Sequence, residues 1–236
     1  MSELVLVRHG QASFGADSYD KLSDQGIEQV RLLAGHWRAL GEQFDHIISG
    51  SLLRQRETAA ELQILHKSAD ASPVHDPAFN EYNGDPLIRI YLRDHGESEG
   101  LASSSDWPIK DRRQFQLVLE AAALKWVQGE LQPGDEDADF EYYADFRRRV
   151  HAGIDSVMRA HTGGSRTLIS TSGGVIAMAL QRVLDFPDQQ VIATNWMLHN
   201  SSITRIRYGG GRVSMTQFNS LPHLENKELQ HMITYR

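Results

Sequence analysis

The chain has 236 residues, a formal net charge of −7, a 40% hydrophobic and 23% charged composition, and no cysteine. Lack of cysteine excludes disulfide frameworks, thiol catalysis and thiolate metal sites. The acidic balance argues against non-specific nucleic-acid binding, which needs a basic footprint, so an anionic ligand must be drawn by local positive charge. The length suits one α/β domain. No basic leader with an apolar core follows Met1, and no run reaches the about 18 apolar residues of a membrane span. The expectation is a soluble, cytoplasmic protein that binds neither membrane nor nucleic acid.

Leu4-Val5-Leu6-Val7 reads as a buried strand. It ends abruptly in Arg8-His9-Gly10, at the strand end where open α/β sheets place their ligands. Gln11 to Asp20 is small and polar, a loop. Ser23 is the expected N-cap of a first helix, with Asp24 in its first turn, Val30, Leu33, Trp37 and Leu40 on one face, and Gly41 as its stop. Phe44 to Ser49 is a second short strand. The helix after Gly50-Ser51 turns Thr58, Leu62 and Leu65 inward. Arg54 sits in the first turn of that helix, where the dipole disfavours a cation unless it faces an anion. Ala71 to Ala78 is extended and leads into Phe79-Asn80-Glu81-Tyr82-Asn83-Gly84.

From His95 to Phe140 the pattern loosens. Gly96 to Gly100 and Ser103 to Asp106 read as exposed loop, Asp111 to Gln128 as a helix, and Gln132 to Asp137 as a second loop. Phe140 to His161 is the next helix, and Arg147, Arg148 and Arg149 read as its solvated or salt-bridged face. Arg166 to Thr171 is a strand. Ser172-Gly173-Gly174 turns into a helix starting near Val175, and a short helix covers Asp188 to Trp196. Ser201 to Arg207 and Arg212 to Phe218 form a hairpin closed by Gly209-Gly210-Gly211, and the tail from Leu221 reads as surface structure.

Several of these stretches resemble one family in order. They are Arg8-His9-Gly10 after its strand, the Leu22-Ser23-x-x-Gly26 entry to the first helix, Leu52-x-Arg54 with Thr58-Ala59, and Glu81 before a turn. Together they resemble the histidine phosphatase superfamily, with its phosphoglycerate-mutase-like fold. The resemblance implies a three-layer α/β/α sandwich on a mostly parallel sheet. It implies one domain over residues 1–236 with a helical cap inserted at about 86–140, the expected source of substrate specificity. It makes His9 the nucleophile that forms a phosphohistidine, Arg8 and Arg54 the phosphoryl-binding cations, and Glu81 the proton donor. Gln11, Ser13, Ser172 and Gly173 complete the expected phosphate- and substrate-binding set. No metal or cofactor is implied.

The chemistry suits those residue types. Two guanidinium groups can hold the phosphoryl oxygens, and their charge disfavours imidazolium and keeps His9 nucleophilic. Glu81 can protonate a leaving alkoxide if its pKa is raised, as a bound phosphate dianion would do. The family pattern is broken at Thr171-Ser172-Gly173, where the resemblance implies Ser-His-Gly. Ser172 then stands in for a second catalytic histidine, a loss on the order of 10²–10³ in rate if nothing replaces that donor. The amides of Gly173 and Gly174 offer an anion site beside it, and His199 is a weaker substitute that reads first as structural.

The leading expectation is a metal-independent phosphatase acting on a phosphorylated small molecule, with a phosphoprotein as the alternative substrate. Phosphoglycerate mutase-type transfer is the runner-up. Mutases of the superfamily follow their acid with Arg and a Tyr-Gly turn, whereas Glu81 is followed by Tyr82-Asn83-Gly84. A catalytically weak phosphate-binding or regulatory module is the third reading, carried by Ser172.

Overall fold

The computed structural model describes residues 1–13, 20–100 and 107–235. The expected loop at Ser103 to Asp106, and most of the one at Gln11 to Asp20, lie outside those residues.

The fold is built on β1 (Ser2–Arg8). All seven of its residues are buried, as the unbroken apolar run requires. It pairs in parallel with β4 (Arg166–Thr171) and antiparallel with β5 (Ile203–Gly209). With β2 (His46–Ser49), β3 (Val74–His75) and β6 (Arg212–Ser220) it forms a six-stranded sheet of order β3-β2-β4-β1-β5-β6, in which β3, β2, β4 and β1 run parallel.

Side chains alternate faces along a strand, and β1 splits the interior accordingly. Leu4 and Leu6 join one hydrophobic core, and Val5 and Val7 join another. The Val5 side is covered by α1 (Asp24–Ala39) and α2 (Leu53–Leu62), through Val30, Leu33, Trp37, Ala59 and Leu62. The larger Leu4 side is covered by α3 (Gly84–Tyr91), α5 (Arg112–Gln128), α6 (Tyr143–Ala160), α7 (Gly173–Leu184) and α8 (Asp188–Met197). The sandwich therefore has three layers. No helix among the described residues is long and apolar enough to cross a membrane.

Local chemistry explains most boundaries. Ser23 Oγ accepts from Gly26 N at 3.0 Å and caps α1. Arg147, Arg148 and Arg149 pair with Asp188, Asp145 and Glu141, the salt-bridged face expected of them. Gly209, Gly210 and Gly211 all take positive φ in the hairpin turn.

Other expectations are corrected. Leu40 is not on the inner face: α1 ends at Ala39, the chain turns at Gly41 (φ 68°), and Leu40 is 65% exposed. Phe44 is buried but lies outside β2, held by a lone bridge to His66. The stretch before Gly100 is helical: a π-type segment, Leu92–Gly96, runs into the single turn α4 (Glu97–Glu99). Helix α7 begins at Gly173, ahead of Val175. The tail is not surface structure, because Leu221, Leu224 and Met232 form a third apolar cluster.

Candidate active site

The site lies where β1 and β4 end. Arg8 and Thr171 are register partners, so His9 and Ser172 each stand one residue beyond their strand, side by side. The His9 amide donates to Thr171 O at 2.8 Å. Gly10 is required by the next turn: a Cβ there would lie 2.3 Å from Gly26 O, and one on Gly26 would lie 2.1 Å from Gln11 O. These two glycines let the loop after β1 rest on the start of α1. Gly10 N also donates to Thr58 Oγ1 at 3.2 Å. From the far side, Ser201 N and Asn200 Nδ2 donate to His9 O at 3.2 and 3.3 Å.

The His9 ring is 6% exposed. Its Nδ1 lies 2.7 Å from Gly10 O. A carbonyl oxygen only accepts, so Nδ1 carries the proton. On the other side Arg54 Nε donates to Nε2 at 3.2 Å. Nε2 therefore presents a lone pair toward a cation. Burial is the main cause holding this imidazole well below its ordinary pKa, and the Arg54 and Arg8 charges act in the same direction against the Gly10 hydrogen bond. Burial thus outweighs the arginine charges expected from the sequence.

Arg8 is buried and donates from Nη1 to Leu198 O. Arg54 Nη1 donates to Asp20 Oδ1 at 2.6 Å, and Asp20 Oδ2 accepts from Leu53 N at 2.7 Å. Asp20 thus orients Arg54 and caps the first turn of α2 together, which answers why a cation is tolerated there. Nothing in the sequence marked Asp20, an acid in a polar loop.

Glu81 lies across from these cations. Its Oε2 accepts from Gly174 N at 2.9 Å and its Oε1 from Tyr82 N at 3.2 Å. Burial pushes its carboxyl above the ordinary value, against the two amide bonds and the arginine charges. The Gly174 amide is thus engaged by Glu81 and is not an open anion donor, a correction to the sequence reading. The carboxylate satisfies an N–H that the start of α7 leaves without a helical partner. A Cβ at Gly174 would meet Glu81 Oε1 at 2.2 Å, and one at Gly173 would meet Asn195 Oδ1 at 2.2 Å, so the Gly-Gly pair admits both neighbours.

Ser172 is 1% exposed and is the N-cap residue of α7 without a side-chain cap bond. Its Oγ accepts from Gln55 Nε2 at 2.9 Å. The other expected residues have local partners. Gln11 uses its side-chain Oε1 to accept from Ser23 Oγ at 3.1 Å, and Ser13 N donates to Lys21 O at 2.8 Å. His199 does not substitute for a catalytic histidine: its Nδ1 is 3.2 Å from Asn219 Oδ1, and its ring packs against Tyr235 at 4.3 Å.

The chain is 26% identical over 214 residues to a protein named "Probable phosphoglycerate mutase GpmB" of Yersinia pestis, covering 88% of this chain and 86% of that one. Among solved structures it resembles a phosphoserine phosphatase of Entamoeba histolytica solved with phosphoserine, at TM-score 0.62 and 19% identity over 95% of this chain and 100% of the other. It also resembles a mycobacterial glucosyl-3-phosphoglycerate phosphatase solved with VO3, at TM-score 0.64 and 20% identity over 93% and 100%. At those identities the structural likeness is one of fold. Residues 4–221 match the histidine phosphatase superfamily (branch 1), from β1 through the end of the hairpin, and the chain belongs to that superfamily.

Proposed function

We propose that the protein hydrolyses phosphate monoesters through a phosphohistidine on His9 Nε2. The observation that carries this reading is the fixed tautomer: Nδ1–H is held by Gly10 O, and the Nε2 lone pair faces Arg54 inside a buried, positively charged pocket. A phosphoryl group that displaces the Arg54 N–H from Nε2 meets an in-line nucleophile, with Arg8 and Arg54 as its guanidinium clamps. Nε2 attacks phosphorus as the ester P–O bond breaks, and the protonated Glu81 gives its proton to the departing oxygen. Water then attacks phosphorus, Glu81 takes back a proton, and the P–N bond breaks to release phosphate and neutral His9. Ser172 stands in this scheme where the family has its second histidine, as a hydroxyl donor to a phosphoryl oxygen. The substrate is a phosphorylated small molecule, consistent with the phosphoserine held by one structural neighbour. The segment at residues 86–140 is the proposed source of specificity. The reaction needs no divalent ion, because the arginines supply its charge.

The test is hydrolysis of an aryl phosphate by the purified protein with a chelator present, against His9→Ala. Wild-type turnover should survive chelation and fall by about 10³-fold or more in the variant. Turnover abolished by the chelator, or retained by His9→Ala, would refute the mechanism. The Yersinia relative's name favours mutase-type transfer as a second reading. It predicts isomerisation of a phosphoglycerate faster than release of inorganic phosphate.

A further inference from the structure

Gln55 is fully buried although it lies in the first turn of a helix. Its amide makes three hydrogen bonds. Nε2 donates to Phe79 O at 3.0 Å and to Ser172 Oγ at 2.9 Å, and Oε1 accepts from Leu52 N at 3.3 Å. These partners admit one amide orientation. A flip would set Oε1 against a carbonyl oxygen and Nε2 against a backbone N–H, leaving both unsatisfied in the interior. There is no slack around it: a Cβ at Gly50 would lie 1.9 Å from Oε1. Phe79 O also accepts from Thr171 Oγ1 at 2.7 Å, so the segment carrying Glu81 and the strand end carrying Ser172 share one bonded centre.

The consequence falls on Ser172. A hydroxyl has one proton and two acceptor sites. Gln55 presents only N–H to it, so Oγ accepts there and its own proton must go elsewhere. Oγ accepts no N–H of α7 as a helix cap, and no acceptor among the described residues takes the hydroxyl proton. We propose that Gln55 is a positioning residue that makes Ser172 an obligate donor to the phosphoryl group, replacing by a two-residue relay the donor that a single histidine would supply. Gln55 does not touch the substrate; it acts through Ser172. This rests on the reading of Ser172 as part of the phosphate site.

The experiment is a double-mutant cycle over Ser172→Ala and Gln55→Glu, read by calorimetric binding of inorganic phosphate and by kcat and KM for an aryl phosphate. Glu at position 55 has nearly the shape of Gln; fully buried, it is held as the neutral acid, whose O–H donates to Phe79 O while the same oxygen accepts the Ser172 proton. Ser172→Ala should weaken phosphate binding about tenfold or more, the loss of one bond to a charged ligand, raise KM in the same direction, and lower kcat as well because the bond strengthens in the transition state, so that kcat/KM falls by about 10²-fold or more. Gln55→Glu should do the same, and the double variant should lose no more than either single one. A merely structural Gln55 gives losses that add to those of Ser172→Ala, which overturns the proposal, as does wild-type phosphate binding by Ser172→Ala. If Gln55→Glu does not fold, Gln55→Met replaces it, with a smaller loss that again vanishes in the Ser172→Ala background. Phosphate binding that follows the cycle in a protein without His9-dependent turnover would sink the phosphatase reading and leave the relay standing.

Discussion

In the proposed mechanism the residue that governs which groups can leave is Glu81. Burial raises its pKa while burial and two arginines lower that of His9. Displacing the two groups in opposite directions is what nucleophile-and-acid chemistry near neutrality requires. The free enzyme should show a bell-shaped kcat/KM. Its acid limb comes from protonation of His9, below the ordinary imidazole range, and its alkaline limb from ionisation of Glu81, above the ordinary carboxyl range. Replacing Glu81 by Ala should cost about 10²–10⁴ on an alkyl phosphate, whose alkoxide needs a proton. It should cost far less on an aryl phosphate with a stable phenolate. Equal losses on both substrates would remove the acid role from Glu81. The residues of the proposed charge and nucleophile set, Arg8, His9, Arg54 and Glu81, were legible because they sit in short, ordered motifs. Asp20 and Gln55 were not, because each acts through a single contact across the fold, Asp20 with Arg54 and Gln55 with Ser172. Spacing along the chain carries no trace of such pairs.

At the scale of elements, what could be read was local. Caps, glycine stops and strand runs declare themselves within a few residues. Helix α3 did not, because it opens on Asn83-Gly84, a dipeptide that ordinarily signals a turn. Here Asn83 Oδ1 instead accepts from Asp85 N at 3.2 Å and caps the helix. The tail was misread for the opposite reason, since its partners are remote. Gln29, fully buried on α1, accepts from Gln11 N at 2.9 Å and donates to Thr234 Oγ1 at 2.9 Å and to Met232 O at 2.6 Å. Thr234 Oγ1 donates to Asn200 Oδ1 at 2.9 Å, and Asn200 Nδ2 reaches His9 O. The last described residues therefore brace the backbone of His9 through a closed polar chain. Thr234→Val keeps the shape and removes both bonds. It should destabilise the fold by about 1–3 kcal/mol, the cost of stranding buried polar partners, and speed amide exchange at His9 and Gly10. Unchanged denaturation midpoints and exchange rates would show the brace to be idle.

Over the whole molecule, a sheet buried on both faces leaves several histidines out of water, and that couples folding to pH. His223 is the clearest. It is 5% exposed, its Nε2 is 2.9 Å from Ser201 Oγ, and burial, helped by nearby His36, pushes it down to about 3. Ser201 in turn gives its amide to the Arg8 and His9 carbonyls, so this histidine stands behind the end of β1. The unfolded chain takes up a proton on His223 below about pH 6.5, and the folded chain does not until about 3. Its contribution to stability is thus present at neutral pH and is lost as pH falls through that window, by about 1.4 kcal/mol per pH unit where the two states differ by one proton. His9, His151 and His161 are also lowered, burial being the first cause in each, and add to the loss on the acid side. Glu81 and Asp85, raised by burial, work against it. Denaturant titrations of wild type and His223→Gln between pH 6 and 5 isolate one term. Glutamine can still bond Ser201 but takes up no proton in the unfolded chain, so the variant's stability should fall with acid less steeply by about one proton's worth. Parallel slopes in the two proteins would mean that His223 is protonated inside the folded molecule, and that the packing behind the end of β1 is open to water.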